Sequence, residues 1–91
     1  MPLSAASHPP DLLRSRLMAS LYKDHRPELA DLVADAALLP ELDGLWVEPP
    51  AAFRSLNAAW LEGHLLRAAC EAGLRLEWVH VLGTHPGTEM F

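Results

Sequence analysis

Ninety-one residues fit one domain, near the lower limit at which a single core is comfortably stable. The formal charge of −5 makes a phosphate-neutralising nucleic-acid binder a poor expectation. One cysteine, Cys70, excludes an internal disulfide and a cysteine-based zinc site.

Residues 1–9 are small, polar and proline-bearing, and read as a flexible tail ahead of a single domain over 10–91. A first helix is expected from Pro10-Asp11, with proline and an acid in its opening turn, to about Tyr22. Leu13, Leu17, Ser20 and Leu21 line one face of it. Lys23-Asp24-His25-Arg26 is a short link, and Pro27 opens a second helix. Leu29, Leu32, Val33, Ala36 and Leu39 recur at helical spacing, with Glu28, Asp31 and Asp35 opposite, and Pro40 is the expected stop. So short a link predicts an antiparallel helical hairpin.

Asp43-Gly44 signals a turn, and Leu45-Trp46-Val47 reads as a strand covered on both faces. Pro49-Pro50 ends that strand and starts a long third helix over 50–72, with Gly73 as its left-handed terminator. From Leu74 the period becomes two. Leu74, Leu76, Trp78, His80 and Leu82 share one face, and Arg75, Glu77, Val79 and Val81 the other. The fold class expected is α+β: a helical hairpin, then strand, helix and strand. The two strands form a small sheet that dimerisation completes, since two strands are marginal alone and leave open edges.

A helix over 50–72 would be about 34 Å long at 1.5 Å per residue, longer than either strand. Something must cover the excess, or Gly63 must break the helix. Its surface divides into three stripes. Ala52, Leu56, Ala59, Gly63, Leu66 and Cys70 are small enough for close approach of another backbone. Ala51, Ala58, Leu61, Leu65, Ala69 and Ala72 are apolar. Phe53, Asn57, Trp60, His64, Arg67 and Glu71 interleave aromatic and polar groups, a composition enriched at recognition surfaces, and form the expected interaction surface.

Candidates for chemistry are few. His64, His80 and His85 are a weak metal-ligating alternative, because their spacing matches no metal motif. His80 shares its face with Trp78 and Leu82, which favours a core histidine. There is no nucleophile elbow and no phosphate-cradling glycine loop. Cys70 lies near a helix C-terminus, where a buried structural thiol is expected. No catalytic residue and no cofactor are expected. The charge is uneven: residues 1–26 carry a net +2, with Arg14, Arg16, Lys23 and Arg26 as bases, whereas 27–50 carry −6. A nucleic-acid-associated regulator using that basic helix is one alternative, and a ligand- or metal-binding protein using the histidines is another. The second helix carries three acids and no base, which argues against a helix-turn-helix reader. The opening residues lack a basic start and a long apolar run, so a cytoplasmic protein without a membrane span is expected. The leading expectation is a small, non-enzymatic interaction module that acts as a homodimer.

Overall fold

A computed structural model describes residues 9–53 and 56–83. Helix α1 spans Pro10–Lys23, α2 Pro27–Asp35 and α3 Ala58–Glu71. Strands β1 (Ala37–Pro40), β2 (Gly44–Glu48) and β3 (Trp78–Val81) form one mixed sheet in the order β1-β2-β3. β1 and β2 are antiparallel, and β2 and β3 are parallel with α3 between them. The class is α+β, and the strand–helix–strand unit is present.

α1 begins at Pro10 as expected and buries Leu13, Leu17, Ser20 and Leu21. These side chains meet Leu29, Leu32 and Val33 of α2, and the core continues through Leu45, Val47, Leu61, Leu65, Val79 and Val81. Leu38, Leu45, Val47, Val79 and Val81 therefore belong to the covered face of the sheet, with the helices packed on it. The alternating positions, Leu39, Trp46, Trp78 and His80, belong to the opposite face.

Four departures from the sequence expectation bear on function. First, α2 stops at Asp35 rather than Pro40, because Ala36 turns to extended backbone and the next four residues pair with β2. The sheet thus has three strands instead of two, and Leu39 is half exposed instead of lying on a buried helix face. Second, Ala51–Phe53 is a separate 3₁₀ turn. α3 starts only at Ala58, where the Asn57 side chain accepts the Trp60 N–H at 2.9 Å. Its fourteen residues run unbroken through Gly63, so the helix is about 21 Å long and the excess length disappears. Third, Cys70 is exposed, not buried. Fourth, the described residues cover only one face of β2 and β3, with Trp46 half-buried and His80 exposed.

Side chains of α1 cap the other two helices. Arg14 Nη1 donates to the carbonyls of Val33, Ala34 and Ala36 at 2.9, 3.2 and 2.7 Å, at the end of α2. Arg16 Nη1 donates to the Ala72 carbonyl at the end of α3, at 3.2 Å. Neither α2 nor α3 has a base in its own last turn, so α1 supplies the cation that the carbonyl end of a helix attracts. Among the described residues, no helix is long and apolar enough to cross a membrane.

Candidate functional site

Two surfaces combine unusual chemistry with exposure. The first is the uncovered face of the sheet. Cross-strand register puts Leu39, Trp46 and His80 in one row across β1, β2 and β3. The Trp78 ring lies over Gly44: a Cβ at that glycine would come within 2.0–2.4 Å of indole atoms. Glycine is what allows the ring to lie flat on the neighbouring strand. The Trp46 and Trp78 rings meet edge to face with centroids 5.3 Å apart, and His80 lies 5.2 Å and 5.0 Å from them. Trp46 Nε1 donates to Glu41 Oε1 at 2.8 Å, which directs the indole. The outer edge of β3 is partly closed. Leu82 N–H donates to Val47 O on β2, so Val81 N–H points the other way, and it donates to Glu62 Oε2 of α3 at 2.9 Å. The same carboxylate lies 3.7 Å from His80 Nδ1.

The second surface contains the stripe singled out in the sequence, though not as a stripe of six. Phe53 is in the 3₁₀ turn, and Asn57 is a helix cap. Trp60, His64, Arg67 and Glu71 remain on one face of α3. The Trp60 and His64 rings meet edge to face at 4.5 Å, and Arg67 Nε pairs with Glu71 Oε2 at 3.3 Å. His64 and Arg67 then close against the turn between α1 and α2. Together with Leu21, Lys23, Asp24, His25 and Arg26 they line an open cleft of about 250 Å³. Burial, then the Arg26 and Arg67 charges, hold the His64 imidazole below its ordinary range, against the opposing pull of Glu28.

The backbone of this turn is a Schellman termination: Arg26 N–H donates to Leu21 O at 2.8 Å, and His25 N–H to Tyr22 O at 3.0 Å. The left-handed position falls on His25, with φ of 60°. α3 ends in the same motif, with Leu74 N–H on Ala69 O, Gly73 N–H on Cys70 O, and Gly73 at φ of 82° as the sequence led us to expect. Glycine adopts this conformation freely, whereas an L side chain loses roughly 1 kcal/mol there. His25 is the only non-glycine residue with positive φ among those described.

The lining of the cleft was half missed in the sequence. Lys23-Asp24-His25-Arg26 read as a link, and nothing in the local pattern joins it to His64 and Arg67 some forty residues later. The three histidines of the metal alternative are not assembled by anything described. His64 lines the cleft, His80 is on the open sheet face, and His85 lies outside the described residues. No group of three His, Cys, Asp or Glu side chains that could hold a metal occurs among the described residues. No family model matches the chain, and neither curated proteins nor solved structures yield a match.

Proposed function

We propose that this protein is a small non-enzymatic interaction module that acts as a homodimer, joined through the uncovered face of its sheet. The observation that carries the reading is the row Leu39–Trp46–His80 with Trp78 beside it, large side chains on a face that no element described here covers. Exposed apolar groups gathered on one face mark contact sites more often than scattered ones do.

A second copy is the occupant best matched by charge. Each chain carries −5, so two copies repel unless the contact avoids acids. The centre of this face carries none: Glu41 is engaged by the Trp46 indole at one end, and Glu48 stands at the other. Edge-to-edge pairing is less favourable. Glu62 already occupies the outward Val81 N–H on β3, and β1 ends in Pro40, which has no N–H to offer. Three short strands offer a face of roughly 15 by 15 Å, from ~4.8 Å between strands and ~3.3 Å per residue. At about 225 Å² per copy that is well below the ~800 Å² per partner of a standard interface, so a weak dimer with an affinity of tens of micromolar is expected. Stacked face to face, two such sheets would lie about 10 Å apart with helices outside.

Sedimentation equilibrium at a concentration well above that affinity tests this. The expected mass is twice the 10.0 kDa of one chain, falling to one chain in Leu39→Glu, which puts a charge in the row where the wild-type side chain is half exposed. A wild-type monomer at that concentration overturns the proposal. So does a dimer that Leu39→Glu leaves intact.

A further inference from the structure

The cleft between the α1–α2 turn and α3 concentrates positive charge in an acidic chain. Its lining holds Lys23, Arg26 and Arg67 against a single acid, Asp24, with the imidazoles of His25 and His64 beside them. The bases of the lining outnumber its acid by two, with Glu71 paired to Arg67 and Glu28 near His64 at its rim, while the chain as a whole is at −5. Arg67 Nε donates to Glu71 Oε2 at 3.3 Å, an exposed pair one turn apart on α3. Asp24, Arg26 and His64 are half-buried, whereas Lys23, His25 and Arg67 are exposed.

We infer that this cleft binds a small phosphate-type dianion, either inorganic phosphate or the phosphate group of a small phosphomonoester. Size limits the ligand: about 250 Å³ is below the ~300–1,000 Å³ of sites that enclose drug-sized molecules. Charge sets its sign: Lys23, Arg26 and Arg67 line the cleft against Asp24, and at His64 the two arginines outweigh Glu28. Geometry favours phosphate, because planar guanidinium forks pair with its oxygens bidentately and a lysine adds a point charge. The backbone carries a second indication. The α1 termination puts a histidine where glycine is the relaxed choice, and its imidazole lines the cleft. Held strain at a ligand-facing position is a recurrent feature of binding sites. This inference does not depend on the dimer, since the cleft is built from α1, α3 and their turn rather than from the sheet.

Proton linkage supplies an internal reporter. The groups that face His64 are Arg67 and Glu71 on its own helix, Lys23, Asp24, His25 and Arg26 in the turn, and Glu28 at the start of α2. A dianion bound among them offsets the two arginines, so the His64 pKa rises on binding, and affinity for a non-titrating anion such as sulfate rises as pH falls toward 6.

The test is titration of the full chain at about 50 mM salt with inorganic phosphate, glycerol phosphate and sulfate, followed by imidazole NMR and thermal melting. Saturable shifts of His64 and a rise in melting temperature are expected. Inorganic phosphate saturating as well as glycerol phosphate identifies the free ion as the ligand. Glycerol phosphate binding at least tenfold more tightly identifies the ester. Arg26→Gln and Arg67→Gln should each weaken binding tenfold or more, while Arg75→Gln, an exposed arginine that does not line the cleft, leaves it unchanged. Lys23→Gln, at an exposed position, replaces Arg26→Gln should that variant not fold. No saturable response to any of the three anions overturns the inference, and so does an equal response in the Arg67→Gln protein.

Discussion

Replacing Arg14 by methionine keeps most of the side-chain stem and removes the charge, and it should destabilise the fold markedly. All three carbonyl contacts of Arg14 run through one nitrogen, Nη1, at 2.7, 2.9 and 3.2 Å. A terminal guanidinium nitrogen has two hydrogens, so at most two of the bonds reach full strength and the longest is shared. A hydrogen bond to a charged group is worth roughly 1.5–3 kcal/mol net, and a cation at a helix C-terminus ~0.3–1 kcal/mol, up to about 2 when partly buried. Water can reach these half-exposed contacts and rehydrate the carbonyls, so the low end of the range applies. Two bonds at that end give a loss of about 3 kcal/mol. For a domain of this size, 1 kcal/mol moves the midpoint by roughly 4–8 °C, so a fall of about 12–24 °C is expected. Denaturant and thermal unfolding of Arg14→Met measure it, with Arg75→Met as the exposed control. Arg14→Lys should fall between wild type and Arg14→Met, since it keeps the charge and loses the planar fork. A loss in Arg14→Met within 0.5 kcal/mol of the control would refute the assignment of Arg14 as the cap of α2.

Gly44→Ala should cost about 1–3 kcal/mol, because the new methyl collides with the Trp78 ring; adding Trp78→Leu should restore most of it, and tryptophan fluorescence will report the displaced indole. Gly63→Ala should stabilise by about 0.5–1 kcal/mol, since its Cβ would meet nothing within 4 Å in the middle of α3; a loss instead would mean that another backbone closes on that stripe. His64 binds its proton less readily in the folded chain than the ordinary 6.5. The unfolded state therefore holds more protons just below that pH, and stability should fall as pH drops through 6.5 until the folded pKa is passed. Equilibrium unfolding against pH checks this, and His64→Asn should flatten the profile in that window. His25→Gly should raise stability by up to about 1 kcal/mol through relief of the left-handed backbone, partly offset by glycine's entropy. The same substitution should weaken phosphate binding, and a gain in both would detach the strained turn from the cleft.

Helical periodicity made α1 legible down to its buried residues, because one apolar stripe on a polar helix has one place to go. The strand pair after Asp43 was legible in part, through its punctuation: β3 begins at Trp78 rather than Leu74, and Leu74 and Leu76, which alternation groups with Trp78 and His80, are instead buried in the core. β1 was not. Leu38 and Leu39 continue the apolar rhythm of α2, and Pro40 reads equally well as a helix stop and as the end of an edge strand. Only pairing with β2 decides between them, and pairing is a property of the hairpin rather than of its first strand. The start of α3 was hidden by an alanine-rich run that favours helix throughout; Asn57, three residues before the N–H it caps, was the overlooked signal. Alternation separated Trp78 and His80 from Val79 and Val81 but could not say which side the helices would cover. The branched, compact pair went inside, where helices pack closely, and the larger rings were left on the open side.

The charge asymmetry of the sequence takes on a division of labour in the fold. Four bases lie in the first 26 residues of the chain, and a basic arm for nucleic acid would need them exposed on one surface. Arg14 and Arg16 are instead directed at carbonyl ends of α2 and α3, helices that carry no base in their own last turns. Lys23 and Arg26 lie at the other end of α1, in the cleft with Arg67. The first pair acts on helix dipoles and therefore on stability. The second pair faces open space and is available to a ligand. The two functions separate along one helix: substitutions at 14 and 16 should move the melting temperature without a specific effect on anion affinity, and substitutions at 23 and 26 should do the reverse. The acids of residues 27–50 other than Glu28, which lies near His64, fit the same picture, since they leave the surface away from the cleft acidic and favour the approach of an anion to its bases.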